Sequence, residues 1–469
     1  MRRLLADRGP SKAWVFLKDK GIGDGEELRD ALLTAEATLH PRQRARRELR
    51  RELPGLVDLR DFPVARDYVQ RAETTGARVV VESSWLNALS VLASESELEA
   101  LAALPFVDRI EPVRRGELID AVPAPPQEAQ YRPPAPASFY GLSLGQLEQI
   151  NLVRVHRRGY TGQGVVVGIL DTGFHRGHEA LNQPSHVVQV LAEYDFINDD
   201  GNTGKEAGDP ASQHAHGTYI LGTIAAYLPG TLVGGAYDAS FVLAKTEDVS
   251  NEYQQEEDFY VSGLQFIEAQ GGDVATSSLA YIDWYTQGDL DGLTAVTTIG
   301  VNVATSNGVI CLTAASNSGH DADPGISHLG APADALQVLT IGAVDSTGTI
   351  AGFSSDGPSA DGRVKPELLA QGVSTQTICA YTDAGCTSAV SGTSLSTPVM
   401  AAAVACLVQA HPGWSVSTMR NRLMASGDYF LANGTYDPLF VLGYGIPDVE
   451  RAGFTRPVHE RTDLPLQMR

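Results

Sequence analysis

The chain has 469 residues, of which 43% are hydrophobic, 20% charged and 7% aromatic, enough for two or three folded domains and too apolar for a disordered chain. Its net charge of −22 is uneven, with −1 on residues 1–139 and −21 on residues 140–469. An acidic body of this kind disfavours nucleic acid and anionic lipid as partners, and no apolar run is long enough for a membrane span.

In chain order, Met1-Arg2-Arg3 is followed only by Leu4-Leu5-Ala6 before Asp7, too short an apolar stretch for a secretory signal, so export is not readable here. Ala13 to Lys18 reads as a strand, followed by a helix-like region through the basic cluster Arg42, Arg44, Arg46, Arg47, Arg50 and Arg51. With Leu49 and Leu53 one turn apart and no interleaved aromatics, the cluster is expected to be the solvated face of a helix rather than a nucleic-acid patch. Val64 to Thr75 reads as helix, Arg78 to Glu82 and Leu86 to Leu92 as strands, Glu95 to Leu104 as helix, and Val107 to Val113 as strand. This alternation predicts a small α+β unit with helices on one face of an antiparallel sheet.

Ala121 to Ser138 holds six prolines in eighteen residues, a linker accessible to proteases. From Tyr140 on, Val165–Leu170, Ser240–Ala244, Val274–Leu279, Val309–Thr313 and Val338–Gly342 are nearly continuous apolar runs. Such runs suit strands covered on both faces, so the fold class is α/β, an open, mostly parallel sheet with helices on both sides. The four cysteines lack Cys-x-x-Cys spacing. Cys379 and Cys386 bracket a polar turn and could pair as a disulfide, whereas Cys311 and Cys406 lie in apolar runs as core residues.

Four short motifs fall where an open parallel sheet places ligands, at the carboxyl ends of strands. Leu170-Asp171-Thr172-Gly173 ends the first strong strand, and His214-Ala215-His216-Gly217-Thr218 opens an apolar helix. Thr313-Ala314-Ala315-Ser316-Asn317 follows another strand, and Ser391-Gly392-Thr393-Ser394 opens the small, apolar run Val399–Gln409. A serine at a helix start faces unpaired N–H groups and the positive end of the dipole, which favours an oxyanion. Singly, each motif also reads as a cap, turn or core residue; their joint order is what carries information.

Asp-Thr-Gly, His-Gly-Thr and Gly-Thr-Ser-x-x-x-Pro in this order resemble the subtilisin-like serine proteases (subtilases, peptidase S8 family) over residues 140–455. The resemblance implies Ser394 as nucleophile, His216 as general base then acid, Asp171 as its orienting carboxylate, and Asn317 as oxyanion-hole donor. It implies Ser278, Leu279 and Ala280 as a substrate-pairing edge, with Ala315 and Ser316 along the specificity pocket. Ala280 and Ser316 stand where the family commonly has glycine, so the preferred side chain at the cleaved bond is open.

The expected domains are an inhibitory propeptide (1–120), a Pro-rich linker with a processing region (121–139), a catalytic domain (140–455) and a tail (456–469). By the same resemblance the chain is a secreted or cell-envelope endopeptidase made as a zymogen, cutting itself in the linker or near Phe139-Tyr140. A cytoplasmic location is the alternative. Expected partners are polypeptide substrates and its own propeptide, with no nucleic acid or membrane span, and the chain is expected to be a monomer. No cofactor is expected for catalysis. Asp195, Asn198, Asp199, Asp200 and Asp209 offer oxygen ligands for a structural calcium, while His175, His178 and His214 lack the pattern of a zinc site. The competing functions are a non-catalytic binding or scaffold protein on a subtilisin fold, and an esterase or acyl transferase using the same triad.

Overall fold

The computed structural model of the chain describes residues 10–113, 117–118, 122–123, 138–250, 256–282 and 285–455. The tail 456–469 and nearly all of the linker lie outside the described residues.

The N-terminal unit is a four-stranded antiparallel sheet in the order Arg78–Ser83, Ala88–Ala93, Ser11–Leu17, Val107–Pro112. Side chains alternate across a strand, and Ser11–Leu17 uses both faces. Ala13, Val15 and Leu17 pack with Val69, Ala72, Leu98 and Leu101 of the unit's own helices. Trp14 and Phe16 point the other way and share a core with Val261, Leu264 and Val301 of the following domain. The expected helices on one face are present, and the opposite face is a domain interface. Trp14 is fully buried there and donates its indole N–H to Glu257 at 3.2 Å.

The large domain is built on a seven-stranded, wholly parallel sheet. The strand order is Gln189–Asp195, Ser240–Lys245, Val166–Asp171, Val274–Ser277, Ile310–Ala314, Leu339–Val344, Leu368–Gln371. The five apolar runs read from sequence are its five central strands. The two edge strands escape that reading, Gln189–Asp195 because polar residues break up its apolar pattern and Leu368–Gln371 because only Leu368, Leu369 and Ala370 of it are apolar.

The helix Thr393–Ala410 runs through the core, with 16 of its 18 residues buried. It is long and apolar enough to cross a membrane, but 89% of it is buried inside the protein, which accounts for its composition. Phe139 belongs to the large domain. Its ring packs against Tyr140, Tyr227 and Tyr237 at 5.1, 6.0 and 5.7 Å, and its carbonyl accepts the Gly230 N–H at 2.9 Å.

The arginine cluster corrects the expectation of a solvated helix face. In the helix Pro41–Arg50 Leu49 is 55% exposed, together with Pro41, Ala45 and Glu48, whereas Arg46, Arg47 and Arg50 are 2–3% exposed and Arg42 and Arg44 half-buried. Carboxylates and carbonyls of the large domain outbid water for the guanidinium groups, a pairing that hydrophobic periodicity cannot register.

Candidate active site

Asp171 is the last residue of the central strand Val166–Asp171 and is fully buried. Its Oδ1 accepts the Thr172 N–H at 2.7 Å, which fixes the carboxylate plane. His216, in the first turn of the helix Ala215–Ala225, points its Nδ1 at both Asp171 oxygens, 2.8 and 3.0 Å away. A carboxylate only accepts, so Nδ1 carries the hydrogen and Nε2 is the basic nitrogen of the neutral ring. Gly217 lets this helix approach the strand, since a Cβ there would meet the Gly173 carbonyl at 2.2 Å.

Ser394 is the second residue of the helix Thr393–Ala410, and its Oγ is buried without a hydrogen-bond partner among the described residues. Its own carbonyl accepts the Ser278 hydroxyl at 3.0 Å, tying the helix start to the expected substrate-pairing edge. Asn317 Oδ1 accepts from Thr393 N at 3.0 Å and Thr393 Oγ1 at 2.9 Å. With the oxygen end of the amide anchored on the helix start, its N–H end is the one that faces away from Thr393. Asp171, His216, Asn317 and Ser394 are thus gathered at the carboxyl edge of one sheet, on elements separated by up to 223 positions in the chain.

Ser278, Leu279, Ala280, Ala315 and Ser316 are all buried beside this cluster. Leu279 and Ala280 are occupied, pairing antiparallel with Leu118 and Glu117 of the N-terminal unit. On the other side of Ser394, the strand Thr387–Ser391 pairs antiparallel with Val122 and Pro123, Ser391 opposite Val122. Residues 117–118 and 122–123 therefore pair with the edges on either side of the Ser394 helix start. Ser316 has φ +97°, a left-handed conformation that favours glycine, which explains the family preference at that position. The methyl of Ala280 abuts Gly330, where an added Cβ would lie 2.8 Å from it, so both departures from glycine crowd this wall.

Several contributors carry no motif. Gln213 holds two turns together by donating to the carbonyls of Thr172 at 2.8 Å and Glu247 at 2.6 Å. Glu247 is buried, accepts the Tyr281 hydroxyl at 2.7 Å and is bonded to Glu256. Burial pushes its carboxyl up to about 7, opposed by those two hydrogen bonds and reinforced by the charges of Asp171 and Asp258. Neither residue has a sequence signal beyond being polar next to a strand end.

Cys379 and Cys386 are joined by a disulfide, their Cα atoms 5.5 Å apart, while Cys311 and Cys406 are free and buried. The three histidines secure this hairpin. His214 Nε2 donates to the Ala380 carbonyl at 2.8 Å, His178 Nε2 to the Cys386 carbonyl at 3.1 Å, and His175 lies 2.8 Å from Asp383. Of the acidic loop residues, Asp195 and Asp200 converge with Glu206. Asp199 instead accepts from the Tyr194 hydroxyl, and Asp195 and Asp209 lie 2.8 and 3.1 Å from the Lys245 ammonium. Asn198 donates to Asp195 and Glu206, both at 3.0 Å.

Comparison with known proteins agrees with this geometry. Subtilisin E of Bacillus subtilis (strain 168) is 28% identical over 379 residues, covering 80% of this chain and 83% of that one. Subtilisin DY of Bacillus licheniformis is 32% identical over 314 residues, covering 67% of this chain and 97% of that one. In three dimensions the chain is similar to fervidolysin from Fervidobacterium pennivorans, described as a keratinolytic enzyme related to subtilisin. The TM-score is 0.66 at 21% identity, over 95% of this chain, which spans 61% of the fervidolysin chain. The Bacteroidota peptidase S8 propeptide domain matches residues 12–125 and the Subtilase family matches residues 162–445. The chain belongs to the subtilase family and carries its own peptidase S8 propeptide domain.

Proposed function

We propose that the protein is a serine endopeptidase made as a zymogen, with Ser394 as nucleophile and His216 and Asp171 as its base and orienting carboxylate. The observation that carries this reading is the His216 Nδ1 contact with both oxygens of buried Asp171, at the sheet edge where the Ser394 helix begins. A neutral imidazole takes the Ser394 proton as Oγ attacks the scissile carbonyl, and Asp171 stabilises the imidazolium. The Asn317 amide and the Ser394 N–H receive the oxyanion. The amine leaves with the proton from His216, and water then attacks the Ser394 ester by the same route, returning the hydroxyl.

The first substrate is the chain itself. The strand pairs at Glu117–Leu118 and Val122–Pro123, on the edges either side of the Ser394 helix start, support a first cut at the boundary between propeptide and linker. Phe139-Tyr140 is the other candidate for the cut, and there Phe139 packs in an aromatic cluster of the large domain. Against the scaffold reading stands the complete set of Asp171, His216, Asn317 and Ser394, which a non-catalytic protein does not need. A secreted or cell-envelope location is part of the proposal, supported by the Cys379–Cys386 disulfide, which persists in oxidising surroundings. Structural calcium at Asp195, Asp200 and Glu206 is likewise a proposal; a Tm unchanged by chelator removes it.

The test is intact mass, N-terminal mapping and casein digestion of wild type beside Ser394→Ala. Wild type should lose its propeptide and digest casein, while the variant stays full length with kcat down about a millionfold, the scale known for this family's nucleophile. A variant that matures and digests casein like wild type sinks the reading, and ester turnover without peptide turnover would favour an esterase.

A further inference from the structure

The catalytic cycle makes no use of the arginine helix Pro41–Arg50, yet among the described residues its Arg46 and Arg47 form the most deeply buried ion pairs between the propeptide and the large domain. Arg47 grips Glu268 with two parallel hydrogen bonds, Nε to Oε1 at 2.9 Å and Nη2 to Oε2 at 3.0 Å. Arg46 donates to the same carboxylate and to three carbonyls, those of Gly272 at 2.8 Å, Glu268 at 3.1 Å and Asn307 at 3.3 Å. Arg50 pairs with Asp273, and Arg42 reaches Asp273 at 3.4 Å and the Gly164 carbonyl at 2.8 Å.

Two of these acceptors, the Glu268 and Asn307 carbonyls, lie at helix ends. The helices Glu257–Ala269 and Val296–Ser306 both end here, and the last carbonyls of a helix lack partners within it and carry the negative end of its dipole. Arg46 satisfies carbonyls at both ends at once. Two glycines clear the ground for the arginine helix. Gly271 (φ +80°) and Gly308 (φ +85°) turn the chain after each helix, and a Cβ on them would strike the Cβ atoms of Arg42 and Arg50 at 2.4 and 2.8 Å. The large domain thus presents two carboxylates and a group of carbonyls, an acceptor-rich surface shaped for planar guanidinium donors.

This surface lies at the amino ends of the strands. Gly164, Asp273 and Gly308 precede three neighbouring strands whose other ends carry the active site, so it stands about 16–20 Å from Ser394, a strand's length. Among the described residues, none of its contacts involves 117–118 or 122–123, so a cut between the propeptide and the linker is expected to leave them intact.

We propose that the mature catalytic domain carries a guanidinium-binding site at the ends of these two helices, and that this site retains the cut propeptide by its arginine helix. Release of the inhibitor is then governed from the side of the molecule opposite the active site. Retention is independent of self-cutting; only its consequence, a delayed onset of proteolysis, rests on the zymogen reading.

The experiment separates the two. On the Ser394→Ala background, a recognition sequence for a site-specific protease is inserted within residues 124–137, the purified chain is cut with that protease, and propeptide loss is followed by size-exclusion chromatography. The unaltered pair should co-elute. Arg46→Gln with Arg47→Gln should release the propeptide about a hundredfold faster or more, since together they remove both cations from the buried Glu268 carboxylate. Arg44→Gln, whose arginine contacts only Glu36 and Glu48 of the propeptide itself, should leave the release rate unchanged. Arg46→Lys with Arg47→Lys keeps both charges for folding but lacks the planar donor pair, and should also release faster. Release at the unaltered rate from either folded double variant overturns the proposal. Failure of wild type to cut itself would instead overturn the maturation reading and leave this result standing.

Discussion

Two fully buried glutamates, one at each end of the sheet, have opposite fates. Burial pushes the Glu268 carboxyl up, but the charges of Arg46 and Arg47 more than offset this and hold it below its ordinary value. Glu247, near the triad, has no cation beside it; its neighbours Glu256, Asp171 and Asp258 are acidic, and it rises to about 7. The difference shows that burial alone does not decide ionisation. At the amino edge an ionised carboxylate is a docking point, and at the carboxyl edge an acidic cluster is kept partly protonated beneath the reacting groups.

The largest expected effect that sharpens this contrast is on rate. Asn317→Ala should lower kcat about 10²–10³-fold, the scale known for this family's oxyanion amide, without changing how tightly a nicked propeptide is held. A joint loss of both in a steady-state and a size-exclusion assay would mean that the two edges are not separate.

Next comes stability. A carboxyl raised in the folded state keeps its proton after the unfolded chain has lost its own, so stability falls as pH rises from about 4.5 to about 7 and is level on either side. Glu247→Gln should therefore raise Tm above pH 7, by up to about 3 kcal/mol of stability, and gain little below pH 4.5. Calorimetry on the Ser394→Ala background avoids self-digestion, and an equal gain at both pH values would break the assignment. For Glu268 the sign is reversed, since a lowered carboxyl stabilises above its ordinary pKa and loses that contribution as pH falls.

The smallest effect is expected at Ser316. Replacement by Gly relieves the left-handed strain and should stabilise the protein by about 1 kcal/mol, read as a small Tm rise, while widening the pocket wall. A loss of stability would show that the Ser316 hydroxyl matters more than its backbone.

What the sequence made legible follows from which forces leave a pattern. Five buried strands are readable because parallel strands are apolar on both faces, and the triad candidates because the chemistry demands particular residue types and their motifs stand in the order that resembles the family. The arginine helix was misread because its burial is ionic, with partners more than two hundred residues away. Glu247 and Gln213 were not found because a single polar residue acquires meaning only through what surrounds it. The flanking strands at Glu117–Leu118 and Val122–Pro123 are too short for any alternation to appear.

The helix that bears Ser394 has a bearing on how this enzyme could be redesigned. Its first turn carries Ser394, the proposed nucleophile, and most of the rest is buried, so closely packed that a Cβ on Gly235 would lie 2.7 Å from the Ala402 methyl. Enlarging a residue along Ala401–Ala405 would push the helix as a rod, and a displacement started deep inside would emerge at its tip. Interior variation in this protein is therefore coupled to turnover, and mutational freedom is concentrated in the segments that do not touch this rod.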